Sequence, residues 1–308
     1  MTLLKNLLLS GFFLLISSSL FAQASNETIF IDGSSTVYPL TNAVVKLYNR
    51  NPSASPISIE VNGTGGGFKK FIKGETDINN SSRKIHESEI YELQKNGIQW
   101  YELVLALDAI ALVANKSNTF LKDLTIDELR LIWKTNSTIT TWNQLRSIWP
   151  NEPIRLYGPG LDSGTRDYFA EVLFGDVDFM RTDYSMSEDD DELEKDVEND
   201  VNSLSFFGIA YVARNNNQVK LIGIRTDDKV IFPNFSSIKS REYPLSRSLY
   251  LHINQNRLEE NDALKEFLFL YVKSVTMLSK AAGYIPLDAR LYLKSINDLK
   301  LKADSMSK

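Results

Sequence analysis

Apolar and β-branched residues gather along this chain in short runs that alternate with longer stretches of helical spacing, the pattern of strand-helix units built on largely parallel sheets. Thr28 to Ile31 reads as a strand. After a loop at 32–36, Leu40, Val44, Leu47 and Tyr48 recur at three- and four-residue intervals, which predicts a helix stopped by Asn51-Pro52. The unit then repeats: Ile57 to Val61 forms a strand, 62–67 a loop, and a short helix runs from about Phe68 to Lys73. A third unit opens at 77–80 and enters a helix at Glu87 to Lys95.

Beyond it, residues 100–115 carry only Glu102 and Asp108 as charges and read as two strands joined where one domain passes into another. Thr125 caps a helix with an acidic first turn. Ile154 to Tyr157 is a strand feeding a loop at 162–166, and Ala210 to Ala213 with Val219 to Ile222 supplies later strands. Residues 188–200 hold nine acidic residues and one lysine, yet match no calcium-loop spacing; Leu193 and Val197 predict a helix with a solvated acidic face. A strand within 241–252 returns to the first domain, and helices at Asp262 to Val275 and Leu287 to Leu299 complete it. The expected division is one lobe of 25–108 with 247–308, and a second of 109–246.

The N-terminal stretch changes the picture. Lys5, the apolar Leu7 to Leu20 and Ala22-Gln23-Ala24 fit a secretory signal over residues 1–24, cleaved after Ala24. The chain has no cysteine, which excludes a cysteine-linked lipid anchor and a disulfide framework, so the expected protein is exported, periplasmic and held by packing alone. Removing 24 of 308 residues leaves 284, enough for two domains with substantial cores. Without Lys5 the balance is 33 basic against 39 acidic residues, a net charge of −6 that argues against nucleic acid or anionic membrane as a main partner. A small anion remains open, because local donors can make such a site.

Three loops, 33–37, 63–67 and 162–166, share one design: a strand before, a helix after, glycine and hydroxyls between. In an open α/β sheet such loops lie at the carboxyl ends of the strands, and the orphan N–H groups of the following helices favour an anion. Ser35, Thr36, Thr64, Ser163 and Thr165 add hydroxyls that both donate and accept, which suits an anion still carrying a proton. Arg83 and Arg166 stand one turn from these loops, where a guanidinium makes paired bonds to a tetrahedral oxyanion. Each feature also has a plain explanation: the serines as helix caps, the glycines as a hinge, the arginines as surface residues. Catalysis has little to work with. There are two histidines, His86 and His252, no G-x-S-x-G elbow and no metal-ligand spacing, so neither an enzyme, a cofactor nor a metal is expected.

Six segments, taken in order, carry a family likeness: 32–40 (Asp32-Gly33-Ser34-Ser35-Thr36-Val37-Tyr38-Pro39-Leu40), Gly63 to Phe68, 74–78 with Ser82-Arg83, Gly158-Pro159-Gly160 before Asp162-Ser163-Gly164-Thr165, 207–211, and Tyr243-Pro244-Leu245-Ser246-Arg247. From about residue 28 to beyond 290 the chain resembles the phosphate-binding proteins of bacterial ABC importers. That resemblance implies a type II periplasmic binding fold of two α/β lobes with two hinge crossovers, and phosphate held in the interlobe cleft by backbone amides, hydroxyls and an arginine. It places Thr36, Val37, Thr64, Ser163, Gly164 and Thr165 at the ligand; Ser35, Ser82, Arg83 and Arg166 complete the expected phosphate-binding set, the positive charge coming from Arg83 with Arg166 as a second source. It further implies a monomer that hands phosphate to ABC permease membrane subunits. Two departures stand out. Ser82 occupies the place of an aspartate that accepts the phosphate proton, and Pro159 that of an arginine. Asp32 or Asp162 is the expected substitute acceptor, and sulfate, molybdate or a transport-free exported module are the alternative functions.

Overall fold

The computed structural model describes residues 27–214, 219–227 and 229–300; the signal over 1–24 lies outside the described residues. The chain opens with three strand-helix units: β1 (Ile29–Gly33) and α1 (Tyr38–Tyr48), β2 (Ile57–Ile59) and α2 (Gly63–Phe71), β3 (Ile78–Ser81) and α3 (Glu87–Lys95). β1 lies between β2 and β3, all parallel, with Ile31 opposite both Ile59 and Ile78. Residues 100–115 then form one strand, β4 (Trp100–Asn115), where two were expected. Its side chains are buried without interruption from Ala109 to Asn115, so no polar break exists at which the strand can turn.

Next come β5 (Asp123–Thr125), α4 (Ile126–Trp133), β6 (Arg155–Pro159), α5 (Gly164–Phe174), β7 (Ser185–Ser187), α6 (Asp190–Asn199), β8 (Ser203–Gly208), α7 (Ile209–Arg214), β9 (Val219–Thr226), β10 (Lys229–Ile231) and α8 (Phe235–Lys239). The last elements are β11 (Ser246–Asn254), α9 (Gln255–Glu260), α10 (Asp262–Ala281), β12 (Ile285–Pro286) and α11 (Ala289–Asp298). The order across the sheet is β2-β1-β3-β11-β4-β8-β6-β7, parallel at both ends and antiparallel around β4 and β11. β4 pairs with β11 over residues 100–109 and with β8 and β9 over 110–115.

Three local expectations change. The glycine run belongs to α2, which starts at Gly63 and not at Phe68. Gly67 shows why: a Cβ there would lie 2.0 Å from Asn79 Oδ1 and 2.7 Å from the Gly33 Cα, so this helix packs directly on the β1 backbone and on the Asn79 side chain of β3. Residues 210–213 are in α7, the strand before it being β8, which already ends at Gly208. α6 is not a wholly solvated acidic face, because Asp190 and Glu194 are buried beside Leu193 and Val197.

Two large apolar cores result, with two smaller clusters beside them. One gathers Leu40, Val44, Ile78, Leu103, Leu105, Leu249, Leu251, Phe267 and Tyr271. The other gathers Ile110, Leu112, Trp133, Phe169, Phe206, Ile222, Tyr243 and Leu245. The chain leaves the first core after Ala106, enters the second at Ala109, and returns between Leu245 and Leu249. Asp108 and Arg247 sit at these two passages and face each other as register partners on β4 and β11.

Candidate anion-binding cleft

β1, β2 and β6 run out into α1, α2 and α5, and the starts of these helices converge: Thr36 lies against Thr165, Gly65 N donates to the Asp162 carbonyl, and Gly164 closes on Thr64. Each such end carries a partial positive charge of about half an elementary unit from its aligned peptide dipoles. The best anchored is α5. Phe169 stacks on Phe206 with centroids 4.0 Å apart, and Trp133 stands edge-on to both, which fixes the helix against the second core. Ser163 is its N-cap, its Oγ accepting from Thr165 N at 3.2 Å and Arg166 N at 3.5 Å.

Around these ends the hydroxyls form two clusters. In one, Thr36 Oγ1 lies 3.3 Å from Thr165 Oγ1, and Arg247 donates to both, Nη1 to Thr165 at 2.8 Å and Nη2 to Thr36 at 3.2 Å. The remaining edge of the same guanidinium faces Asp108 Oδ2, with Nε at 3.0 Å and Nη2 at 2.9 Å. Thr36 comes from the first core's side, Thr165 from the second's, and all four residues are buried. In the other cluster, Thr64 Oγ1 lies 3.3 Å from Ser82 Oγ and accepts from Ser82 N at 3.2 Å. Gly164 closes on that pair: a Cβ there would be 2.4 Å from Thr64 Oγ1 and 2.7 Å from Ser82 Oγ. Adjacent in the chain, Gly164 and Thr165 tie the clusters into one site.

Not every expected residue points into it. The Val37 side chain is buried in the first core, leaving only its backbone near the loop, and Ser35 turns its Oγ to Asp190 Oδ2 at 3.4 Å. Arg83 is taken up by acceptors: Nε by Asp167 at 2.8 Å, Nη1 by the Lys84 carbonyl at 2.9 Å and Glu89 at 2.8 Å, Nη2 by Glu89 at 2.8 Å. Arg166 is buried with its Nη1 3.9 Å from Asp167 and its Nε without a hydrogen-bond partner among the described residues. The two carboxylates expected to accept a proton from the ligand are also engaged. Asp32 accepts from Gly33 N, from Asn62 N and Nδ2, and pairs with Lys70 at 2.9 Å; burial raises its pKa, but these bonds outweigh it and hold the carboxyl below its ordinary range. Asp162 pairs with Lys69 at 2.6 Å on the surface, while its carbonyl accepts from Gly65 N.

The residues that the sequence did not single out are Arg247, Asp108 and Asp190. Arg247 closes the sixth motif, but it lies far along the chain from every glycine loop, and nothing in that spacing aims it at Thr36. Asp108 gave a faint signal as one of two charges in an apolar stretch. Asp190 was hidden among nine acids in 188–200. In the fold it is buried at the first position of α6, and burial raises its carboxyl pKa to about 7 against the pull of Arg247.

Residues 22–273 match the model of the PBP superfamily domain. The chain belongs to the PBP superfamily. Relatives in it include the protein SphX of Synechocystis sp., 40% identical over 87% of this chain and 81% of its own length. The phosphate-binding protein PstS of Staphylococcus haemolyticus is 31% identical over 87% of this chain and 84% of its own. Among solved structures, a possible phosphate-binding protein from Planctomyces limnophilus aligns with a TM-score of 0.65 at 34% identity, covering 91% of this chain and 99% of that one. A putative phosphate ABC transporter substrate-binding protein from Clostridium perfringens, solved with bound phosphate, shares the fold at a TM-score of 0.71 and 23% identity, over 85% and 100% of the two chains. The α/β architecture of this superfamily is therefore the one that the motifs imply, and the family is one of solute-binding proteins.

Proposed function

We propose that the protein binds inorganic phosphate in the cleft between a lobe of 25–108 with 247–308 and a lobe of 109–246, and delivers it to an ABC-type membrane permease. The observation that carries this reading is the convergence of a buried guanidinium and two threonine hydroxyls, one from each core, at the start of α1 and α5. Arg247 supplies the positive charge, Thr36, Thr64, Ser82 and Thr165 supply hydroxyls, and Gly164 lets the backbone approach. Ser163 holds the α5 terminus in shape. Arg83 acts through Asp167 as a brace between the lobes, and Arg166 stands beside Asp167 on the same helix, α5. The names of the relatives support phosphate as the ligand. No chemistry follows capture: the lobes close on the anion, burial from water strengthens each bond, and the permease takes the closed form.

The protein is proposed to be a periplasmic monomer without catalytic activity; no helix among the described residues is long and apolar enough to cross a membrane. Calorimetric titration with phosphate and with sulfate tests the reading. One phosphate per chain with sulfate at least a hundredfold weaker is expected; preferential sulfate binding, or no heat from either, contradicts it.

A further inference from the structure

Asp190 is a charge that the cleft does not balance. One buried guanidinium, Arg247, faces two buried carboxylates, Asp108 and Asp190. Asp108 takes the guanidinium's Nε and Nη2, and its Oδ1 points into the interior with no hydrogen-bond partner among the described residues. Asp190 is left with the Ser35 hydroxyl at 3.4 Å, on the loop whose next residue, Thr36, receives Arg247 Nη2 at 3.2 Å. The Ser35 carbonyl is itself held by the Tyr211 hydroxyl at 3.0 Å, which fixes that loop against α7. The groups bearing on Asp190 are thus Arg247 from β11, Asp108 from β4, Ser35 from the first loop, and Asp189 beside it on its own element. With both carboxylates ionised, these three groups together carry a net charge of −1, and a dianion entering beside them meets repulsion in a medium of low dielectric.

We propose that Asp190 is protonated in the anion-bound state, so that the protein takes up one proton when it captures phosphate as the dianion. This rests on the phosphate reading above. The proton on Asp190 removes the excess negative charge and converts an acceptor beside Ser35 into a donor or a shared bond toward the anion. The raised carboxyl pKa of about 7 agrees with a group that already holds its proton readily before any ligand arrives. An entering negative charge strengthens that hold.

Calorimetry of phosphate binding above about pH 8, in two buffers of different ionisation enthalpy, measures the proton directly. For the unmodified protein we expect uptake of about one proton per phosphate and an affinity that falls about tenfold per pH unit. Asp190→Asn, which is neutral at every pH, is expected to bind phosphate with no uptake and a flat profile over the same range, while Glu188→Gln retains the slope. Glu188, whose half-buried carboxyl also sits up at about 7, is the control for a neighbouring acid. Phosphate binding without proton uptake in the unmodified protein overturns the inference but leaves the phosphate reading standing, whereas no phosphate binding at any pH overturns the reading itself. A slope kept in Asp190→Asn, whether or not Glu188→Gln loses it, likewise overturns the assignment to Asp190. If Asp190→Asn fails to fold, Asp190→Ser replaces it as the neutral variant, since uptake in the unmodified protein alone does not separate a proton on Asp190 from one carried on the anion.

Discussion

At the scale of single residues the cleft separates groups that touch the proposed ligand from groups that hold those groups. Thr165→Val keeps the shape of the side chain and removes the hydroxyl that accepts from Arg247; phosphate titration should show a loss of about 1–3 kcal/mol, as for an orphaned charge-assisted bond. Arg247→Ala is a harsher change, because it leaves Asp108 charged and buried, and about 3–5 kcal/mol of folding stability should go with it. Chemical denaturation separates that loss from the loss of affinity. The unliganded protein should also show the burial of Asp190. Burial raises its carboxyl from the ordinary value of 3.8 to about 7, so its favourable contribution is complete at low pH and disappears as pH rises through about 7. Asp190→Asn should therefore gain stability over the unmodified protein as pH climbs from about 4 to about 7, then hold level; a gain that is the same at both ends contradicts the assigned shift.

At the scale of elements, the loops that start helices were legible and the elements that meet them from afar were not. Strand-loop-helix punctuation announced β1-α1, β2-α2 and β6-α5, and with them Thr36, Thr64 and Ser163. The glycine run was read as a loop because glycine is a poor helix former in isolation. In the fold, contact with Gly33 and Asn79 outweighs that propensity, and α2 begins five residues earlier than expected. Gly67→Ala tests this contact: helix propensity alone predicts a small gain, but the clash with the β1 backbone at Gly33 and with the Asn79 side chain predicts a melting temperature lowered by several degrees, read by circular dichroism. The single strand β4 escaped for a related reason. A run of apolar residues looks the same whether it turns or continues, and only the pairing with β11, β8 and β9 shows that it continues.

At the scale of the whole molecule, Arg83 acquires a purpose that no local pattern shows. Lys69 with Asp162 at 2.6 Å, Arg83 with Asp167 at 2.8 Å and His86 with Glu171 at 2.9 Å set three basic groups on the first core's side against three acidic ones in and before α5. The exposed outer pair contributes little, whereas the buried Arg83 pair carries the geometric constraint. Arg83→Gln should therefore open the phosphate-free protein, seen as a larger radius of gyration in small-angle scattering, while saturating phosphate restores the compact value. Such partnerships join residues 84 positions apart for Arg83 and Asp167, and 211 for Arg247 and Thr36, so no local spacing in the chain announces them.

The proposed grip is that of Arg247, Thr36 and Thr165 on one phosphate between the two cores. A crystal structure of the protein grown with phosphate tests it most directly. A tetrahedral anion is expected within hydrogen-bond distance of both threonine hydroxyls and the Arg247 guanidinium, beside Gly164. A phosphate held instead by Arg83 or Arg166, or bound away from the starts of α1 and α5, would contradict it.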